Sequence, residues 1–227
     1  MQFEKLTAAY SGEKIFENLQ GKLALNKVTT LLGPNGSGKT TLMMILAGLK
    51  KPTAGKIELE QRKIFYLPQK NQVYDYLTVA QLLAIPQTKA SPGSAGQFYA
   101  QLIEKFGLTD LLNRDLNRLS GGQQQRAWLA YALLQPADIL LLDEPLAYLD
   151  LKYQQEVLKL VSSLKSAKTF LLSLHDVKIA RYCSDFVWLL SAKKIAAGPP
   201  EILTSAAISN FLKADPQFLI ALQREGN

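Results

Sequence analysis

"GPNGSGKT", Gly33–Thr40, is the stretch on which the reading of this chain turns. It satisfies the spacing G-x-x-x-x-G-K-S/T, follows the apolar run "VTTLL" at 28–32 and leads into "TLMMILAGL", so a strand, a glycine-rich turn and a helix are expected in that order. Gly33, Gly36 and Gly38 let the backbone curl until its amides point inward around phosphate oxygens. Lys39 adds a point charge between the outer two phosphates, Thr40 offers a hydroxyl to Mg²⁺, and Thr41 can donate to an inner phosphate. Pro34, Asn35 and Ser37 complete the loop and join the expected nucleotide contacts.

A metal held by one hydroxyl and phosphates needs a carboxylate nearby, normally at the end of a neighbouring buried strand. "ILLLDE" at 139–144 supplies it: four apolar residues hide the strand, then Asp143 and Glu144 emerge where open α/β sheets bind ligands. Asp143 is expected to orient Mg²⁺, through water, and Glu144 to polarise an attacking water. His175, the only histidine, is read as ending the buried strand "TFLLSL", from which it can hydrogen-bond the γ-phosphate and hold the water in line. "LSGGQQQRAWLA" at 119–130 is a second anion-binding candidate: Ser120 stands in cap position, Trp128, Leu129, Ala132 and Leu133 follow at helical spacing, and glycines at the helix start leave N–H groups open.

The 227 residues allow one substantial core with a small inserted subdomain. A composition of 48% hydrophobic and 20% charged residues is globular and excludes collagenous and disordered classes. No apolar run approaches the roughly 18–20 residues that cross a bilayer, and "MQFEKLTAAY" does not resemble a secretory signal, so a soluble intracellular protein is expected. The 26 Lys and Arg against 19 Asp and Glu give a net charge of +7. These basic residues are scattered, which argues against nucleic acid as partner and leaves phosphates or an anionic membrane face. Cys183 cannot form an internal disulfide and reads as a small half-buried hydrophobe.

"FEKLTAAY" and "KLALNKVTTLLG" read as opening strands, with "KIELE" and "KIFYLPQ" after the first helix. From about residue 78 to 134 the signals are helical, broken by the surface connection "PQTKASPGSAG". Strand texture returns at "DILLLD" and "KTFLLSLH", separated by a helix with Val157, Leu160, Val161 and Leu164 on one face. "DFVWLL" and "KKIAAG" suggest a hairpin, and "PEILTSAAISNFLK" a helical close. The alternation implies a parallel sheet covered on both faces, with a helical insertion after Gln69.

In order, "GPNGSGKTT", Gln69 in "YLPQ", "LSGGQ", "ILLLDEP", "LD" at Leu149–Asp150 and His175 make the chain resemble an ABC-type ATPase. The resemblance implies an α/β fold: a P-loop NTPase core with an antiparallel β edge, residues 1–227 as a single ATPase domain, and an inserted helical subdomain at approximately 78–134. It implies that Tyr10 stacks on adenine, that Gln69 serves both Mg²⁺ and catalysis, and that Asp150 joins the nucleotide contacts. It further implies a head-to-tail dimer in which Ser120, Gly121, Gly122 and Gln123 hold the γ-phosphate of ATP bound mainly by the second copy. Gln124 and Gln125 are left as solvated helix surface. The family reading also implies transmembrane permease subunits as partners, contacted near "NQVYDYLTV", a substrate-binding protein indirectly, and a peripheral position at the cytoplasmic face of the membrane. "RAWLA" and "LDL" followed by Gln154 are similar to subunits that drive import of iron chelates, haem or cobalamin. Metal or small-solute import, export and a non-transport ABC ATPase are the alternatives. Tyr148 in "LAYLD" and a short segment between Gly55 and Gln69 depart from the family pattern.

Overall fold

The computed structural model describes residues 1–10, 12–59, 61–71, 75–86, 95–191, 194–204 and 206–208. The chain opens with β1 (Gln2–Tyr10), β2 (Glu13–Lys22), β3 (Val28–Leu32), α1 (Lys39–Leu46), β4 (Ala54–Glu58) and β5 (Ile64–Leu67). Among the described residues, the α-helices before the next strand are α2 (Val79–Ala84), α3 (Ala95–Lys105) and α4 (Gly121–Leu133). Then come β6 (Ile139–Asp143), α5 (Leu151–Leu164), β7 (Thr169–Ser173), α6 (Val177–Cys183), β8 (Phe186–Leu190) and β9 (Ile195–Gly198).

A six-stranded sheet runs in the order β5-β6-β7-β3-β8-β9, parallel except for the β8–β9 hairpin at its edge. Every residue of β3, β6 and β7 is buried, which is why these strands, rich in apolar residues, show no alternation of apolar and charged positions. Their side chains still divide by the two-residue period of a strand. Leu140 and Leu142 of β6 enter a core shared with α2, α3, α4 and α5, while Ile139 and Leu141 enter a second core beneath α1. A three-stranded antiparallel sheet, β2-β1-β4, joins that second core, its Phe3, Leu6 and Phe16 clustering with Leu42, Met43 and Leu46 of α1. Phe3 also packs edge-to-face on Trp188 of β8, with ring centroids 5.6 Å apart.

Two expectations about strands need correction. "KLALNKVTTLLG" is not one strand: β2 occupies Glu13–Lys22 and β3 begins only at Val28. β2 escapes a reading by alternation because only Phe16 and Leu19 are buried, three residues apart, and its pairing with β1 shifts register three times. Asn18, at φ 54°, and Lys5, at φ 50°, mark the irregularity. β7 ends at Ser173, so His175 stands two residues past the strand on the loop before α6.

Of the surface connection at 86–96, residues 87–94 lie outside the described residues, as do 205 and 209–213 of the expected closing helix. Among the described residues no helix is long and apolar enough to cross a membrane.

Candidate functional site

Register explains where the site falls. β6, β7 and β3 are consecutive in the sheet and parallel, so the loops after Leu32, Asp143 and Ser173 leave the same edge. The first begins at Gly33 and ends in α1, whose cap residue Gly38 has φ 96° and supplies no side-chain hydrogen bond. The first amides of α1 are therefore free of any cap and point out of the helix end. A Cβ at Gly38 would also stand 2.7 Å from Ile15 Cγ2.

Lys39 folds back over its own loop, donating to the carbonyls of Gly33 at 2.8 Å and Pro34 at 3.2 Å. It is only 7% exposed, and burial lowers the pKa of its ammonium against the raising influence of Glu144 and Asp143. Thr40 Oγ1 donates to Asp143 Oδ2 at 2.7 Å. Asp143 is buried and fully engaged: Tyr66 OH donates to the same oxygen at 3.2 Å, and Ser173 Oγ donates to Oδ1. Burial, followed by the Asp143 carboxylate, raises the pKa of the Tyr66 phenol far above its ordinary range.

Glu144 adopts φ 50°, a left-handed backbone that is uncommon for a residue with a Cβ. Its amide donates to Ser173 Oγ at 2.8 Å, and its carboxylate turns toward the phosphate loop. There Gln69 Nε2 donates to Oε2 at 2.6 Å and His175 Nε2 lies 2.5 Å from Oε1. Asn35, Gly36, Thr40, Gln69, Glu144 and His175 thus share one cleft of about 630 Å³, together with Lys39, Gly38, Thr41 and Ile15. Chemically the cleft combines anion-binding amides, an ammonium, a hydroxyl–carboxylate pair of hard oxygen donors, and a carboxylate held between an amide and an imidazole. Gly33, Pro34 and Ser37 complete the loop behind it; Ser37 is 6% exposed and its buried Oγ has no partner among the described residues.

Other expected residues are not brought to this cleft within one chain. Tyr10 lies outside its walls, 69% exposed, with the Lys50 ammonium 5.2 Å from its ring centroid. Asp150 is the N-cap of α5, accepting from the Tyr153 amide at 3.1 Å. Ser120, Gly121, Gly122 and Gln123 open α4 away from the phosphate loop, where Ser120 Oγ accepts from the Gln123 amide at 3.3 Å and Gln123 Oε1 accepts from the Ser120 amide at 3.0 Å. This reciprocal capping box occupies the Gln123 side chain locally.

The expectation that Gln124 and Gln125 are solvated is overturned. Gln124 Nε2 donates to the carbonyls of Leu116 and Leu119, and Gln125, 5% exposed, donates to the Pro145 carbonyl at 3.1 Å. Tyr66 and Ser173 were also missed. Each is a hydroxyl inside an apolar strand, a signal that a buried partner exists but not which one.

The sequence model of the family described as ABC transporter matches residues 16–147. The chain is 35% identical to the petrobactin import ATP-binding protein FpuD of Bacillus anthracis over 222 residues, 88% of this chain and 81% of that one. It is 32% identical to the zinc import ATP-binding protein ZnuC of Vibrio parahaemolyticus over 212 residues, 90% and 78% of the two chains. Among solved structures, an inward-facing ABC transporter described as of metal-chelate type superposes with a TM-score of 0.78 at 30% identity, covering 92% of this chain and 87% of that one. A dimeric bacterial ABC transporter cassette shares the fold, with a TM-score of 0.77 at 24% identity over 88% and 98% of the chains.

Proposed function

The chain belongs to the ABC transporter family of ATP-binding subunits, and from that premise we propose that it hydrolyses ATP to drive a membrane importer for an iron chelate or a related metal-bearing cargo. The observation that carries the reading is Glu144, whose carboxylate faces the phosphate loop between Gln69 and His175 at the open end of a parallel sheet.

ATP is the substrate, bound by the amides of the phosphate loop and the start of α1. Lys39 exchanges the carbonyls of Gly33 and Pro34 for phosphate oxygens, and Thr41 donates to an inner phosphate. The hydroxyl of Thr40 paired with the carboxylate of Asp143, together with the side-chain oxygen of Gln69, is a set of hard oxygen donors that fits Mg²⁺. Thr40, Asp143 and Gln69 would hold the ion, which would supply charge neutralisation at the phosphates. Glu144 orients water and takes its proton, while His175 donates toward the γ-phosphate.

Ser120, Gly121 and Gly122 present the N-terminus of α4 to a nucleotide held by a second copy in a head-to-tail dimer. Gln123 then acts from its capping position, Asp150 through the start of α5, and Tyr10 against the base. Residues 1–227 act as one ATPase domain, whose helical subdomain, approximately 78–134, receives the permease subunits. The contact we assign lies near residues 71–79, of which 72–74 fall outside the described residues. The chain is peripheral on the cytoplasmic face of the membrane, and a substrate-binding protein enters only through the permease. Petrobactin and zinc in the relatives' names support a metal-bearing cargo.

Tagging the chain in its native cells and isolating it from gently solubilised membranes with ATP and vanadate tests this. A polytopic membrane pair in the eluate is expected; recovery only with ribosomes or nucleic acid overturns the transport reading and leaves the ATPase standing.

A further inference from the structure

The six residues from Pro145 to Asp150 lead from Glu144, just past β6, to α5, and both α4 and α5 contact them. Gln125, on the second turn of α4, is buried and reaches across to the Pro145 carbonyl at 3.1 Å. On the same helix Gly122 lies so close that a Cβ would stand 2.8 Å from the Tyr148 carbonyl. From the other side Gln154 of α5 donates to the Leu149 carbonyl at 3.0 Å. The stretch from Glu144 through this loop holds two left-handed residues, Glu144 at φ 50° and Tyr148 at φ 63°. Neither conformation is favoured by the residue itself, so the surroundings must impose it.

We infer that Gln125 is a positioning residue, which ties the anion-binding start of α4 to the backbone that sets the direction of the Glu144 carboxylate. Among the described residues the buried Gln125 amide has one acceptor for its donor, the carbonyl of the residue after Glu144. A side chain without a donor leaves that carbonyl unpaired inside the protein, and the loop then has reason to turn toward water. Because Gly122, one turn earlier on the same helix, admits the Tyr148 carbonyl, a shift of the loop also moves the surface that α4 presents. Gln125 thus links the two ends of the reaction site, one offered to the chain's own nucleotide and the other to a partner's. This inference rests on the proposed role of Glu144.

The test is Gln125→Met, which preserves length and burial and removes the donor. Three quantities are measured on the wild type, Gln125→Met and Glu144→Gln: affinity for a fluorescent ATP analogue, thermal midpoint and kcat. For Gln125→Met, affinity within twofold of wild type, a midpoint within a few degrees and a kcat lower by tenfold or more are expected. A kcat within twofold of wild type, or a kcat that falls only in step with nucleotide affinity or folding, overturns the positioning role. If Gln125→Met does not fold, Gln125→Leu gives the same reading, since it removes the donor with an apolar side chain of smaller reach. Glu144→Gln separates the two levels: rapid hydrolysis by that variant removes the role of Glu144 itself, whatever Gln125→Met does.

Discussion

Lys39 and Glu144 occupy one cleft but are held by opposite means. Lys39 is bound by carbonyls of its own loop, so its ammonium is already directed at the place where phosphate oxygens compete for it. Lys39→Ala should weaken ATP binding roughly 10- to 100-fold, the worth of a charge-assisted hydrogen bond, measured by titration with a fluorescent analogue. Unchanged affinity would deny the lysine a phosphate contact. Glu144 is held by groups distant in sequence, Gln69, Ser173 and His175. Glu144→Gln should bind ATP normally, lose at least about 100-fold in kcat, and accumulate ATP-dependent dimers visible by light scattering. These two residues were legible from local spacing, because a phosphate loop and a carboxylate after a buried strand are contiguous signals. Tyr66 and Ser173 were not, since a hydroxyl on one strand finds its partner through the register of another.

At the scale of the element, α4 shows how far capping and periodicity reach. Ser120 and Gln123 form the box that the pattern S-x-x-Q announces, and Leu129, Ala132 and Leu133 turn inward as their spacing requires. Periodicity is silent about polar residues that point inward, and Gln125 and Arg126 both do. Arg126, 8% exposed, donates to the carbonyls of Phe106 and Gly107 just past the C-terminus of α3, and its guanidinium carbon lies 4.0 Å from the Tyr153 ring centroid on α5. One side chain therefore satisfies the open end of one helix and packs on another. Arg126→Met should lower stability by about 1–3 kcal/mol, because two carbonyls lose their donor. The urea midpoint measures it, and a midpoint equal to wild type would mean that water reaches those carbonyls freely.

At the scale of the whole molecule, α1, which follows the phosphate loop, shares one core with both sheets. Its Leu42, Met43 and Leu46 are buried in one cluster with Leu141 and Leu171 of the parallel sheet and Phe3, Leu6 and Phe16 of the antiparallel sheet. Phe3→Ala should cost about 3–5 kcal/mol, since it empties a fully buried ring site and removes the contact with Trp188. Denaturant unfolding checks this, and a loss below about 1 kcal/mol would mean that the antiparallel sheet contributes little to α1's seat. By itself the sequence determined the strand–loop–helix of the nucleotide site, the buried strands β3, β6 and β7, and the family, because each is written in adjacent residues or in an ordered series of motifs. Tertiary structure alone decided the bulged pairing of β1 with β2, the hydroxyls around Asp143, and the inward turn of Gln124, Gln125 and Arg126. The reason is physical: local sequence states what a residue prefers, whereas a buried polar group takes whatever partner the packing of distant elements brings within hydrogen-bonding distance.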